Sequence, residues 1–126
     1  MHPVPFGVVT ESRPEGIGVL SVRGELGLNT APRLEEELRA ALESARSLVV
    51  NLSDCEFIDS TGVALLVKTW QGLGDGSRSH RLVLCCPSRQ VRRLFEITGL
   101  EEQIEIRTDL ESAVESAAAG ASTETG

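Results

Sequence analysis

Apolar positions recur with two different periods along this chain. From Ile17 to Leu26 (IGVLSVRGEL), Leu20 and Val22 alternate with Val19, Ser21 and Arg23. A period of two predicts a strand with one apolar and one mostly wet face. Val8 and Val9 begin an earlier strand, and the intervening Arg13-Pro14-Glu15-Gly16 is a turn signal. The sheet should therefore open with an antiparallel pair. After Thr30 the period lengthens: Leu34, Leu38, Ala41, Leu42 and Ala45 recur at helical spacing. Thr30 can cap that helix, and Pro32 is tolerated in its first turn. Glu35, Glu36 and Glu37 fall near its positive end; a solvated helix face explains them more simply than a partner surface.

Leu48 to Leu52 (LVVNL) is a short apolar run, as in a central strand covered on both faces. Ser53 to Asp59 reads as a loop that carries Phe57 and Ile58 inward. A second helix follows from about Thr61 to Leu73, with Val63, Leu66, Val67, Trp70 and Leu73 on its buried side. Gly72, Gly74 and Gly76 imitate a dinucleotide cradle, but they follow a helix where that cradle must follow a strand. Arg81 to Cys86 is a strand ended by Pro87. Ser88 caps a third helix carrying Val91, Leu94, Phe95 and Thr98, and Gly99 suits a left-handed helix end with Leu100 as its apolar contact. Gln103 to Ile106 makes a last strand. Thr108 and Glu111 form a capping box for a helix with Leu110 and Val114. Residues 117–126 read as a frayed tail. The alternation predicts a single α/β domain over residues 1–116. Its sheet is mixed but mostly parallel, with four to five strands and about four helices.

Composition bears more on function than on fold. One hundred and twenty-six residues suit one domain. A net charge of -7 repels phosphate backbones and anionic lipid, and a chain without Tyr offers few stacking platforms. Direct nucleic-acid binding and membrane insertion are not expected. Cys55 stands alone, and strand pleating should send Cys85 and Cys86 to opposite faces, so no disulfide framework is expected. No CxxC or His-rich spacing suggests a metal. The start lacks the basic region and apolar run of a signal peptide, and the apolar run Val63 to Val67 is too short to span a bilayer. A cytoplasmic location is the expectation. His2 and His80 have no neighbouring nucleophile, and P-loop, HExxH and GxSxG motifs are absent. The reading is a binding protein with no cofactor.

One segment carries candidate chemistry: Asn51-Leu52-Ser53-Asp54-Cys55-Glu56-Phe57-Ile58-Asp59-Ser60-Thr61-Gly62. It places a hydroxyl at the positive end of a helix. The plain role of Ser60 is an N-cap, contributing about 1 kcal/mol. The functional role is acceptance of a phosphoryl group, which helix N–H groups and the dipole accommodate. That would add about -1.5 to -2 charge at pH 7. On physics alone the cap reading wins. Asp59 either steers a metal-bound phosphate donor or, more simply, belongs to the cap and bonds the loop. Arg89, Arg92 and Arg93 form the basic cluster, either a solvated face or a contact for an acidic partner.

Phe57-Ile58-Asp59-Ser60-Thr61-Gly62 resembles the signature of STAS domains, specifically of bacterial anti-sigma factor antagonists. Gly24-Glu25-Leu26 with Thr30-Ala31-Pro32 and Leu34, and Val91 to Leu100 (VRRLFEITGL), resemble the same family in register. The resemblance runs from about Gly18 to Val114 and implies a binding switch. The unmodified protein would bind an anti-sigma factor that is also a serine kinase, and a sigma factor would be freed. The kinase would then phosphorylate Ser60, with Thr61 as the alternative acceptor, and the complex would part. A PP2C-type phosphatase would restore the binding form. The implied partner surface comprises Asp59, Ser60, Thr61, Gly62, Asn29 and Thr30, with Gly62 allowing close approach of the partner. The family commonly carries an acidic residue where this chain has Gly27. That departure leaves an alternative: a soluble STAS subunit of a membrane lipid-transporter complex.

Overall fold

The computed structural model describes residues 4–73 and 81–122. Strands β1 (Gly7–Arg13) and β2 (Ile17–Leu26) pair antiparallel across a tight turn, Pro14–Gly16. Glu15 and Gly16 both take positive φ in that turn, 69° and 75°. There follow α1 (Ala31–Ala41), β3 (Ser47–Ile58), α2 (Ser60–Leu73) and β4 (Leu82–Cys85). The chain continues through α3 (Arg89–Thr98), β5 (Glu105–Arg107) and α4 (Leu110–Ser122). The strands lie in chain order across one sheet, parallel from β2 onward. This is the expected mixed sheet with four α-helices.

The strand period divides the core in two. Leu20, Val22, Leu48, Val50, Leu52, Leu82 and Leu84 face α1, α2 and α3, which bring Leu34, Leu38, Leu66, Val91 and Phe95 against them. Val19, Val49, Val83 and Cys85 face the other way, onto Ala113 and Ala117 of α4. The apolar run in β3 is thus covered on both faces. Trp70 packs partly buried on the larger core. Ser88 caps α3 by accepting from Val91 N–H at 3.2 Å. Gly99 ends that helix at φ 76°, with Leu100 buried beside it.

Several local expectations are corrected. Ser53 to Ile58 is strand, not loop: β3 continues to pair with β2 through two register shifts, ending at Leu26↔Ile58. Each shift sets extra β3 residues against β2, so the apolar period there becomes three (Leu52, Cys55, Ile58) and resembles no strand. Phe57 consequently points outward, 51% exposed, while Ile58 is buried. The last helix is capped by Asp109, which accepts from Ser112 N–H at 2.7 Å, rather than by Thr108. α4 runs on to Ser122, because Ala117 is fully buried against the sheet where a tail was expected. Gly74, Gly76, His2, His80 and residues 123–126 lie outside the described residues.

The two adjacent thiols also depart from expectation. Cys86 takes φ 62°, which breaks the pleat and turns it to the same core as Cys85. Both remain free thiols, as does Cys55. Burial, followed by the Cys86 side chain, pushes the Cys85 thiol far up, and burial pushes Cys55 up to about 11. Among the described residues no helix is long and apolar enough to cross a membrane.

Glu105 fastens α4 to the sheet. Its carboxylate accepts from Ser116 of α4 and from Arg107, each at 2.6 Å. Burial pushes its pKa up, but the hydrogen bonds from Ser116 and Arg107 and the charges of Arg107 and Arg81 win, leaving it below the ordinary 4.5. A carboxyl depressed in the folded state stabilises above its unfolded pKa and loses that contribution as pH falls through the folded value. Glu105→Gln should therefore be less stable than wild type at pH 7. It should also lose less further stability between pH 5 and 3, read from urea midpoints at each pH.

Candidate functional site

The paired ends of β2 and β3 lead into turns that meet. Asp59 follows β3, and its N–H donates to Leu26 O at 3.1 Å. Its carboxylate has two partners. Oδ1 accepts from Gly62 N–H at 3.1 Å, and Oδ2 accepts from Leu28 N–H at 3.3 Å. The first is the geometry of an N-cap, in which a side-chain oxygen satisfies an otherwise unbonded donor of the first turn. The carbonyl of Asp59 also accepts the α2 bond from Val63 N–H at 3.0 Å.

The expectation that Ser60 caps α2 is therefore corrected: Asp59 is the cap. Ser60 is the first residue of the helix and is exposed. Among the described residues its hydroxyl has no hydrogen-bond partner. The simpler reading of Asp59, that it belongs to the cap and bonds the loop, is what the structure shows. The plain alternative to a chemical role for Ser60 thus belongs to its neighbour. Thr61 is half-buried.

The β2–α1 turn completes the site. Thr30, expected to cap α1, instead turns its hydroxyl back to β2. It donates to Glu25 O at 2.7 Å and accepts from Gly27 N–H at 2.9 Å. Leu28 and Asn29 stand out between these anchors, Leu28 at 71% exposure. No periodic signal marked Leu28, because it lies in a turn. A Cβ at Gly27 would fall 2.7 Å from Asp59 Oδ2, so the bare backbone there makes room for the carboxylate. Any side chain in that place would crowd the Asp59 carboxylate.

Gly62 does not serve close approach by a partner, because it is buried. A Cβ there would meet Leu26 O at 2.8 Å, Ile58 Cγ2 at 2.7 Å and Leu26 Cγ at 2.9 Å. The residue lets α2 seat directly on the sheet. A separate cleft of about 980 Å³ opens at the carboxyl ends of β2 and β3, with Arg23 and Arg89 on its wall against Glu25, Asp54 and Glu56. Ser60 is not on that wall. The cleft had no sequence signal, because it depends on the extended, shifted end of β3. Among the described residues no cluster of His, Cys, Asp and Glu could hold a metal ion.

Gly62→Ala tests the seating of α2. Alanine is the better helix former by about 1 kcal/mol, but contact with a fixed carbonyl oxygen should outweigh that gain. A net loss of about 1–3 kcal/mol is expected from urea denaturation.

Residues 10–113 match the profile of the STAS domain. The anti-sigma-B factor antagonist of Staphylococcus aureus is 36% identical over 93 residues, which are 73% of this chain and 84% of that protein. An anti-sigma factor antagonist from Mycobacterium paratuberculosis shares the fold with a TM-score of 0.77 at 30% identity, over 90% of this chain and 94% of that one. The anti-sigma factor antagonist SpoIIAA in its unphosphorylated form shares the fold at 22% identity and a TM-score of 0.74, over 90% and 97% of the two chains. This chain belongs to the STAS domain family.

Proposed function

We propose that this protein is an anti-sigma factor antagonist: it binds an anti-sigma factor, frees a sigma factor, and is switched off by phosphorylation of Ser60. The names of its relatives support the first part. The observation that carries the second is the exposed Ser60 hydroxyl, without a partner among the described residues, at the mouth of a helix already capped by Asp59. Ser60 can react without loss of a structural bond. The γ-phosphoryl of ATP passes to Ser60 Oγ, ADP leaves, and the hydroxyl proton goes to solvent or a kinase base. Thr61, half-buried, is the poorer acceptor.

The dianion formed there stands on the N-terminal end of α2, which tolerates it. Its effect is on the partner. A surface that must shed water to dock would then have to desolvate about two charges. Asp59, Asn29 and Thr30 shape that surface, and Gly62 contributes by seating α2. The partner is an anti-sigma factor with serine kinase activity, a PP2C-type phosphatase resets the switch, and the protein acts in the cytoplasm without catalysis of its own. Gly27, the residue that would suggest a transporter subunit, has a local explanation in the room it gives Asp59.

Incubation with the cognate kinase and ATP should add one phosphate to wild type, located on Ser60 by mass spectrometry, and none to Ser60→Ala. In titrations against the anti-sigma factor, Ser60→Ala should bind as wild type does. Ser60→Asp should bind at least about tenfold more weakly, or ~1.4 kcal/mol. Equal binding by all three would remove Ser60 from the interface.

A further inference from the structure

We propose that Asp59 is a latch joining the modification site to the exposed Leu28 turn, and that a phosphoryl group on Ser60 opens it. The inference rests on reading Ser60 as the phosphoacceptor. One carboxylate spans two elements: Oδ1 is bonded to the first turn of α2 and Oδ2 to Leu28 N–H, 31 residues away in the chain. Thr30 pins the flanks of the turn through Glu25 O and Gly27 N–H, but Leu28 N–H itself has Asp59 as its acceptor. The backbone of the turn is therefore held where it presents a large apolar side chain, 71% exposed. Holding an anchor in its bound conformation removes an ordering cost from association. Leu28 is an exposed apolar side chain, and docking that covered it would remove that surface from water.

A phosphoryl group on Ser60 acts on this carboxylate in two ways. It is a dianion on the adjacent residue, and like charges repel. It also offers oxygens to the same first-turn N–H groups that Asp59 Oδ1 now satisfies. An aspartate displaced from α2 takes Oδ2 away from Leu28. Gly27 adds no side chain to hold the turn in its place. The modification then weakens docking twice, by its own charge and by loosening the Leu28 anchor beside it.

The exchange measurement needs no partner, and a parallel incubation with the kinase and ATP tests the phosphoacceptor reading. Amide hydrogen exchange is measured by NMR on the full chain for wild type, Ser60→Ala, Ser60→Asp, Asp59→Asn and Asp59→Ser. Asn and Ser cap helices about as well as Asp but retain only one carbonyl or hydroxyl acceptor. Asp59→Ser, being short, cannot reach Leu28 while capping. In both Asp59 variants Leu28 N–H should exchange about tenfold faster, the scale of one net hydrogen bond, with Gly62 N–H still protected. Ser60→Asp should speed Leu28 exchange in the same direction, and Ser60→Ala should leave it unchanged. Unchanged Leu28 exchange in Asp59→Ser and Ser60→Asp overturns the latch. So does loss of protection at Gly62 and through α2 in step with Leu28, which would make Asp59 a cap and nothing more. A chain that the kinase leaves unmodified, with Leu28 still released in Asp59→Ser, would instead defeat the phosphoacceptor reading alone.

Discussion

The carbonyl oxygen of Leu26 is the point around which this site is built. It ends β2, receives Asp59 N–H at 3.1 Å, and lies 2.8 Å from where a Cβ on residue 62 would stand. One backbone atom therefore fixes where β3 ends, where α2 begins, and why the third residue of α2 must be glycine. With α2 seated that closely, the Asp59 carboxylate can reach the first turn of α2 and the β2–α1 turn together. A helix held farther off by one methyl group would separate those two partners. The surroundings of Ser60 thus depend on a packing distance set by its neighbours.

The core explains why this end of the molecule can hold such a fixed arrangement. The parallel strands are apolar on both faces where they cross the middle of the sheet, and α1, α2 and α3 share one of those faces. α4 presents alanines to the other, which allows close contact over a small area. Buried leucines and Phe95 each contribute on the order of 1.5–3 kcal/mol from burial, so the platform under the site is well supported. The turns at its edge then need only a few hydrogen bonds to be ordered.

Most of the fold was legible where side-chain period and backbone geometry agree. The alternation in β2, the helical spacing in α1 and α2, and the Gly99-Leu100 end of α3 each announce themselves through local chemistry. The end of β3 was not legible, because two register shifts replaced its period of two with a period of three, and outward Phe57 followed from that. Cys86 misled for a similar reason: its left-handed backbone cancels the pleat that should have parted the thiols. At the site, the family motif pointed to the junction of β3 and α2, but the division of capping roles within it depends on where the first helical turn begins. Ser60 and Asp59 are both good caps by residue type, and only the position of the first helical turn decides which one acts. Thr30 shows the same ambiguity, since its hydroxyl prefers the β2 carbonyl it meets in space to the helix it precedes.

The separation of Asp59 as cap from Ser60 as free hydroxyl has a consequence for the life of the protein in a cell. A hydroxyl that holds no bond in the fold can be altered with little effect on the equilibrium between folded and unfolded chains, provided the phosphoryl oxygens take over the α2 donors that Asp59 gives up and the loss at Leu28 stays local to its turn. Proteases that sample the opened chain respond to that equilibrium. On the reading of Ser60 as the phosphoacceptor, its two chemical forms would then be degraded at similar rates. Their ratio would be set by the enzymes that write and erase the mark, and the total amount of protein would carry no memory of it.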